Sequence, residues 1–200
     1  MPHVSVAILA GGQSKRMGRD KAFLEVNGQL VIERVIAQVA PLTNDLFIST
    51  NTPEKFTRFG WPTVSDIYPD KAALGGIYTA IHTAKYDQVL IVACDMPLLN
   101  QPLLQYLIDL APTADVIAPI IAPPQPETLH TVYSKNCLAP IERRLLANQL
   151  RVIGFFADVI VRYVSASEVT NFDPNYNSFI NMNTPHEWEH VRQLVADMYQ

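Results

Sequence analysis

The chain has 200 residues, 48% hydrophobic and 17% charged, which is enough apolar content for one substantial core and excludes a disordered chain. A formal charge of -4 and a pI of about 5.7 exclude general affinity for a nucleic acid backbone or an anionic membrane, so any anion must be held locally. Cys94 and Cys137 are the only cysteines, too few for a disulfide framework; with no membrane-length apolar stretch and no leader in MPHVSVAILAGG, an unprocessed, soluble, cytoplasmic protein is expected.

The length predicts a single domain over residues 1–200. Val4 to Leu9 is an apolar, β-branched run and reads as a buried strand. Val31, Ile32, Val35, Ile36 and Val39 then share one helical face, which Pro41 ends. Leu46 to Thr50 is the second strand, Gly75 to Ala84 a shorter helix, and Val89 to Ala93 the third strand. Asn100 caps a helix with Pro102 in its first turn and a stripe of Leu103, Leu104, Leu107, Ile108 and Ala111. After a strand at Val116 to Ala118, the prolines at 119, 123, 124 and 126 make residues 119–127 an extended loop placed to lie over a site. A strand (Leu129 to Tyr133), a helix (Leu138 to Ala147) and a strand (Val159 to Val164) follow, and Thr184 with Glu187 forms a capping box for the last helix. Strands alternating with helices predict an α/β fold of three layers around a mostly parallel sheet.

Ligands of such sheets gather outside the carboxyl ends of the strands. The segment LAGGQSKRMGRDK, residues 9–21, leaves such an end. Gly11 and Gly12 free main-chain N–H groups to face an anion, and Lys15, Arg16, Arg19 and Lys21 supply the charge that the acidic whole lacks. Arg16 offers a planar fork to phosphate oxygens and Lys21 a mobile point charge. The spacing fits neither a Walker loop nor the G-x-G-x-x-G dinucleotide fingerprint, so the loop is a phosphate cradle of another kind or else a plain glycine turn with solvated cations. In LIVACDMPLL, residues 90–99, Asp95 ends the most apolar strand. A carboxylate there can hold Mg²⁺ together with substrate phosphates, or can merely cap a turn.

These residues resemble a known family. LAGGQSKRMGRDK matches the L-A-G-G-x-x-x-R-M-G-x-x-K signature of nucleotidyltransferases with a Rossmann-like fold, and the chain is most similar to the molybdenum cofactor guanylyltransferases. ALGGI (73–77), CDMP (94–97), TLHTVY (128–133), the segment 141–155 and FINMNTP (179–185) follow in the family's order. The resemblance implies transfer of GMP from Mg-GTP to molybdopterin or Mo-molybdopterin, with pyrophosphate released and molybdoenzyme clients downstream. It implies that Leu9, Ala10 and Gly11 meet the nucleotide, that Lys21 contacts phosphate, that Asp66 contacts GTP, and that Asp95 touches both nucleotide and Mg²⁺. Asn181 and Asn183 match the asparagines of the N-x-N-T-P motif and line the site. On this reading Arg16, Lys21 and the Gly11 and Gly12 amides stabilise pyrophosphate, while Asp66 is the carboxylate for the guanine edge. The chain departs from the family at Ala72-Ala73, where a glycine-proline pair is usual, and at Asn148-Gln149-Leu150, which lacks a glycine before Arg151. It departs again at Ser49, which replaces a GTP-contacting asparagine that Asn51 could substitute.

Other readings compete. HEWEH, residues 186–190, fits the H-E-x-x-H zinc motif, but the capping box already explains Glu187. A nucleotide-binding module without turnover, a cytidylyltransferase acting on the same pterin and a sugar-phosphate nucleotidyltransferase share the loop chemistry. His130 could touch the second substrate or pack in the core, and Arg143, Arg144 and Arg151 could receive the pterin phosphate or face solvent. Tyr68, Trp61 and Trp188 read as packing residues, and Asp70 and Lys71 as part of a mobile loop.

Overall fold

The computed structural model describes residues 4–11 and 20–197. Gly12, Lys15, Arg16 and Arg19, assigned above to the phosphate loop, lie outside the described residues. In chain order the elements are β1 (Val4–Leu9), β2 (Glu25–Val26), β3 (Gln29–Leu30), α1 (Val31–Val39), β4 (Leu46–Ser49), β5 (Thr63–Val64), α2 (Ala72–Thr83) and β6 (Gln88–Ala93). Then come α3 (Gln101–Leu110), β7 (Val116–Ile120), β8 (His130–Ser134), α4 (Leu138–Leu146), β9 (Val161–Ser165), α5 (Ala166–Val169) and α6 (Pro185–Asp197).

Seven strands form one sheet in the order β5-β4-β1-β6-β8-β7-β9, and β2 and β3 form a separate hairpin. β5, β4, β1 and β6 run parallel, β8 is antiparallel to both of its neighbours, and β9 is parallel to β7. The register places Leu9 beside Ser49 on one side and Ala93 on the other, so three parallel strands end level and release their loops at one edge. His130, at the start of the reversed strand, pairs with Val92 and therefore lies at that same edge.

Alternation along the strands builds the layers. Val4, Val6 and Ile8 pack with Ile32 and Val35 of α1 and with Leu103, Leu104 and Leu107 of α3. Ala7, Leu9 and Ile91 face the other way, toward Leu74, Ile77 and Ile81 of α2 and Ile141 and Leu145 of α4. A third cluster joins Leu24, Val26 and Val31 to Leu98, Met182, Val191 and Val195, fastening α6 to the hairpin beside the β1 exit. Asn100 caps α3 as its sequence predicts, its side chain accepting from the Leu103 N–H at 2.9 Å. Burying the apolar stripe of that helix contributes roughly 1.5–3 kcal/mol per large side chain before entropy is counted.

Several boundaries differ from the sequence reading. α2 begins at Ala72 rather than Gly75, although Ala72 itself stands at a left-handed φ of 50. β7 runs on through Pro119 to Ile120, so the proline-rich loop starts later than expected. At Pro119 β7 is paired on the β9 side alone, since its pairing with β8 covers only Val116 and Ile117. The hairpin and β5 are too short to show hydrophobic periodicity. The predicted mobile loop is tied at Lys71, whose ammonium donates to Asn148 Oδ1 at 3.0 Å.

Candidate active site

The β1 exit is held on both sides by its neighbours. The Ala10 N–H donates to the Ser49 carbonyl at 2.8 Å, and the Cys94 N–H donates to the Leu9 carbonyl at 3.1 Å. At Gly11 the backbone is outside the left-handed region, and a Cβ built there would meet nothing within 4 Å. Packing among the described residues therefore does not demand glycine at this position.

Beyond the loop, Asp20 caps a single 3-10 turn (Lys21–Phe23), with its carboxylate accepting from the Ala22 N–H at 3.4 Å. That turn aims Lys21 back across the edge. Its ammonium lies 3.2 Å from Asp95 Oδ2 and also donates to Asn183 Oδ1. Lys21 and Asp95 are both largely shielded, with side chains 18% and 16% exposed, so their attraction is screened less than that of a surface pair while one face stays open to a ligand. Asp95 is fixed through its backbone as well, since its carbonyl accepts from the Met182 N–H at 3.1 Å. Residues from three distant parts of the chain thus meet around one ammonium group.

A second constellation sits on the other side of the β1 exit. Asn51 and Asp66 bond reciprocally: the Asn51 amide donates to Asp66 Oδ2 at 2.8 Å, and the Asp66 N–H donates to Asn51 Oδ1 at 2.9 Å. Asp66 Oδ1 is left facing Gly76, whose hypothetical Cβ would lie 3.7 Å from it and 3.5 Å from a Leu9 methyl. Ser49 is buried at 3% exposure, whereas Asn51 is exposed, so Asn51 holds the position from which this pair can reach a ligand. Asn51, a candidate substitute for the asparagine missing at Ser49, is thus tied to Asp66.

Asn181 is adjacent in sequence but is engaged locally, donating from its amide to the Phe179 carbonyl at 3.3 Å. Cys94 precedes Asp95, and burial pushes its thiol pKa up, aided by the Asp95 charge, so it stays a protonated thiol and no nucleophile. His130 is fully buried and stacked on Phe179, with ring centroids 4.5 Å apart. Neither ring nitrogen has a hydrogen-bond partner among the described residues, and burial lowers its pKa to about 3, opposed only weakly by the Ser178 main chain. Of the two readings of His130, the structure shows the packed one: its ring lies in the core against Phe179.

In the HEWEH motif Glu187 serves the helix cap, its Oε2 accepting from the Asn183 and Thr184 N–H groups at 2.7 and 2.8 Å. Among the described residues no group of three His, Cys, Asp or Glu side chains could hold a metal ion. A lone strand-end carboxylate such as Asp95 is compatible with Mg²⁺, which ordinarily takes one or two carboxylates and completes its shell with water and substrate phosphates. Arg143 and Arg144 both lean on Asp158, at 3.7 and 3.9 Å, around a shallow cavity of about 210 Å³. Arg151 lines a separate cavity of about 240 Å³ with Gln125, Pro126 and Thr128 of the proline-rich loop. Tyr68 packs as expected and adds a bond, donating with Tyr78 to Glu142 Oε1 at 2.7 and 3.1 Å and so joining α2 to α4.

Known proteins share both this sequence and this architecture. A probable molybdenum cofactor guanylyltransferase of Pelotomaculum thermopropionicum is 36% identical over 190 residues, covering 95% of this chain and 92% of its own. The molybdenum cofactor guanylyltransferase of Syntrophotalea carbinolica is 34% identical over 190 residues, covering 94% and 90%. Among solved structures, molybdopterin-guanine dinucleotide biosynthesis protein A from Archaeoglobus fulgidus superposes with a TM-score of 0.87 at 23% identity, over 97% of this chain and 100% of its own. A CMP:2-keto-3-deoxy-manno-octonic acid synthetase complexed with CTP has the same fold, with a TM-score of 0.71 at 15% identity over 98% and 99%. The MobA-like NTP transferase domain matches residues 6–157, which contain the β1 exit, Lys21, Asp66 and Asp95, and with the relatives it shows that the chain belongs to the MobA-like NTP transferase family.

Proposed function

We propose that the chain is a guanylyltransferase that moves GMP from GTP to the terminal phosphate of molybdopterin or Mo-molybdopterin. The observation that carries this is the meeting of Lys21, Asp95 and Asn183 at the edge where the parallel strands end. An acceptor phosphate oxygen attacks the α-phosphorus of GTP, the bond from that phosphorus to the β-phosphate oxygen breaks, and pyrophosphate leaves with the electron pair. The acceptor is already anionic, so the protein needs no nucleophile of its own; it aligns the two phosphates and neutralises charge.

Within this reading Lys21, with Arg16 and the Gly11 and Gly12 amides, faces the leaving pyrophosphate, and Leu9 and Ala10 lie along the nucleotide. Asp95 holds Mg²⁺, which when bound supplies Lewis-acid neutralisation of the phosphates. Asp66, held by Asn51, presents Oδ1 to the two donors on the guanine edge. Asn183 steadies Lys21, and Asn181 lines the edge. Supporting the guanine and pterin assignments are the names of relatives at 36% and 34% identity; the fold alone also serves a CTP-dependent synthetase.

The reading includes one domain over residues 1–200, because Asn183, beyond the family match ending at 157, reaches Lys21 at its start. It also includes a reducing cytoplasmic setting, which accords with two free cysteines, and delivery of product to molybdoenzyme clients. Neither nucleic acid nor membrane enters it: the net charge is -4 and no helix among the described residues is long and apolar enough to cross a membrane. The test is Lys21→Ala with Mg²⁺, GTP and molybdopterin: kcat for pyrophosphate release should fall about 100-fold, as for loss of a transition-state charge contact, with the thermal midpoint preserved. Wild-type turnover in that variant removes Lys21 from the chemistry.

A further inference from the structure

The C-terminal helix is joined to the proposed phosphate-contacting lysine by its own cap. In an ordinary capping box the glutamate bonds back to the N-cap N–H, and here Glu187 does so to Thr184 at 2.8 Å. The same Oε2 also accepts the Asn183 N–H at 2.7 Å and the Thr184 hydroxyl at 3.1 Å. The bond to Asn183 reaches one residue beyond what the cap requires. On its other side the Asn183 peptide is pinned by the Met182 N–H, which donates to the Asp95 carbonyl at 3.1 Å. With the main chain held from both directions, the Asn183 carboxamide oxygen is presented to the Lys21 ammonium.

The helix is in turn anchored against the segment that follows Lys21. Met182, Val191 and Val195 are buried with Leu24 and Val26, and the Trp188 indole N–H donates to the Glu25 carbonyl at 3.0 Å. A lysine side chain has four rotatable bonds and a strongly hydrated head, so a fixed acceptor is what converts it from a mobile charge into a placed one.

We propose that Glu187 is a positioning residue for nucleotidyl transfer, acting through Asn183 on Lys21. This rests on the reading of Lys21 as the phosphate contact given above. Glu187 touches neither substrate nor metal; its carboxylate sets where the Asn183 amide stands, and Asn183 sets where the ammonium waits.

The test compares full-length Glu187→Ala, Glu187→Gln and Thr184→Ala, each in the wild-type and the Asn183→Ala background. Three quantities are read: thermal midpoint, GTP affinity by calorimetry with Mg²⁺ and without acceptor, and kcat with molybdopterin. Thr184→Ala removes the hydroxyl that accepts the Glu187 N–H at 3.2 Å and donates to Oε2 at 3.1 Å, but leaves Oε2 held by the Asn183 and Thr184 N–H groups, so it is the control for weakening the cap with the bond to Asn183 kept. Glu187→Ala should lower kcat about tenfold, as expected for a slightly misplaced catalytic charge, and weaken GTP binding. Glu187→Gln, which keeps an acceptor oxygen, should come within about twofold of wild type. Thr184→Ala should match the alanine variant in thermal midpoint while keeping wild-type kcat. In the Asn183→Ala background, Glu187→Ala should have no further effect on turnover.

Equal losses of kcat in Glu187→Ala and Thr184→Ala overturn the proposal, as does failure of glutamine to restore activity or an undiminished effect without Asn183. If the wild type binds GTP but forms no product with molybdopterin, the acceptor assignment fails instead, and the GTP affinities of the same variants still decide the role of Glu187.

Discussion

His130 carries a polar ring into an apolar setting, and the consequence can be measured. Its folded pKa of about 3 lies below the ordinary 6.5, so the ring is neutral in the fold and becomes protonated on unfolding. Between those values the unfolded chain binds the extra proton, and stability is lost as pH falls below 6.5. The slope is at most about 1.4 kcal/mol per pH unit for one group. Replacing His130 by Leu should flatten denaturant-derived stability between pH 6.5 and 5, a window above the usual carboxylate range. An unchanged slope in that window would show that His130 is not the group responsible. At this same scale Lys21 and Asp95 are legible because they stand in motifs, whereas Asp66 lies outside them and comes only from the family resemblance. Asn51 and Glu187 were harder to assign, because their importance comes from partners 15 residues away or from a bond beyond the cap. Ala72 shows the opposite case: it occupies φ 50, a left-handed value that suits the glycine usual in the family, and no sequence pattern announces that a side chain is tolerated there.

Among the elements, α2 depends most sharply on one residue. A Cβ on Gly75 would lie 2.8 Å from the Tyr68 carbonyl oxygen and 3.0 Å from Lys71 Cβ, so the loop leading from Asp66 rests directly on the helix backbone. Gly75→Ala should cost about 1–3 kcal/mol, as an overpacked contact with backbone, despite the better helix propensity of alanine. Chemical denaturation measures this, and a stabilised variant would show that the loop yields freely. Longer elements were legible because their apolar residues repeat: α1 and α3 run essentially where their stripes and caps indicate. The β2–β3 hairpin was not anticipated, since it is two residues per strand and has no periodicity to read. Its signal was the Asn27-Gly28 pair, which takes φ 51 and 74 as a two-residue hairpin turn requires.

Across the whole molecule, the reversed strand β8 makes the sheet mixed. This brings β7 and β9 onto one flank and leaves the edge of the proposed nucleotide site to the level ends of β1, β4 and β6. The sequence indicated alternating strands and helices but carried no mark of the reversal, because a buried strand is equally apolar in either direction. The site is likewise a property of the whole chain, with Lys21, Asp95 and Asn183 drawn from its beginning, middle and end. In the proposed reading base choice also belongs to this scale, falling to the Asn51–Asp66 pair on the other side of the β1 exit from Lys21 and Asp95.

The most direct measurement is mass spectrometry of the products formed by the purified protein with Mg²⁺ and molybdopterin, given GTP and CTP in equal amounts. The account predicts molybdopterin guanine dinucleotide and pyrophosphate, with the cytosine dinucleotide a minor product at most. A predominantly cytosine product would contradict the assignment of Asp66 to guanine, and the absence of any dinucleotide while GTP still binds would contradict the acceptor.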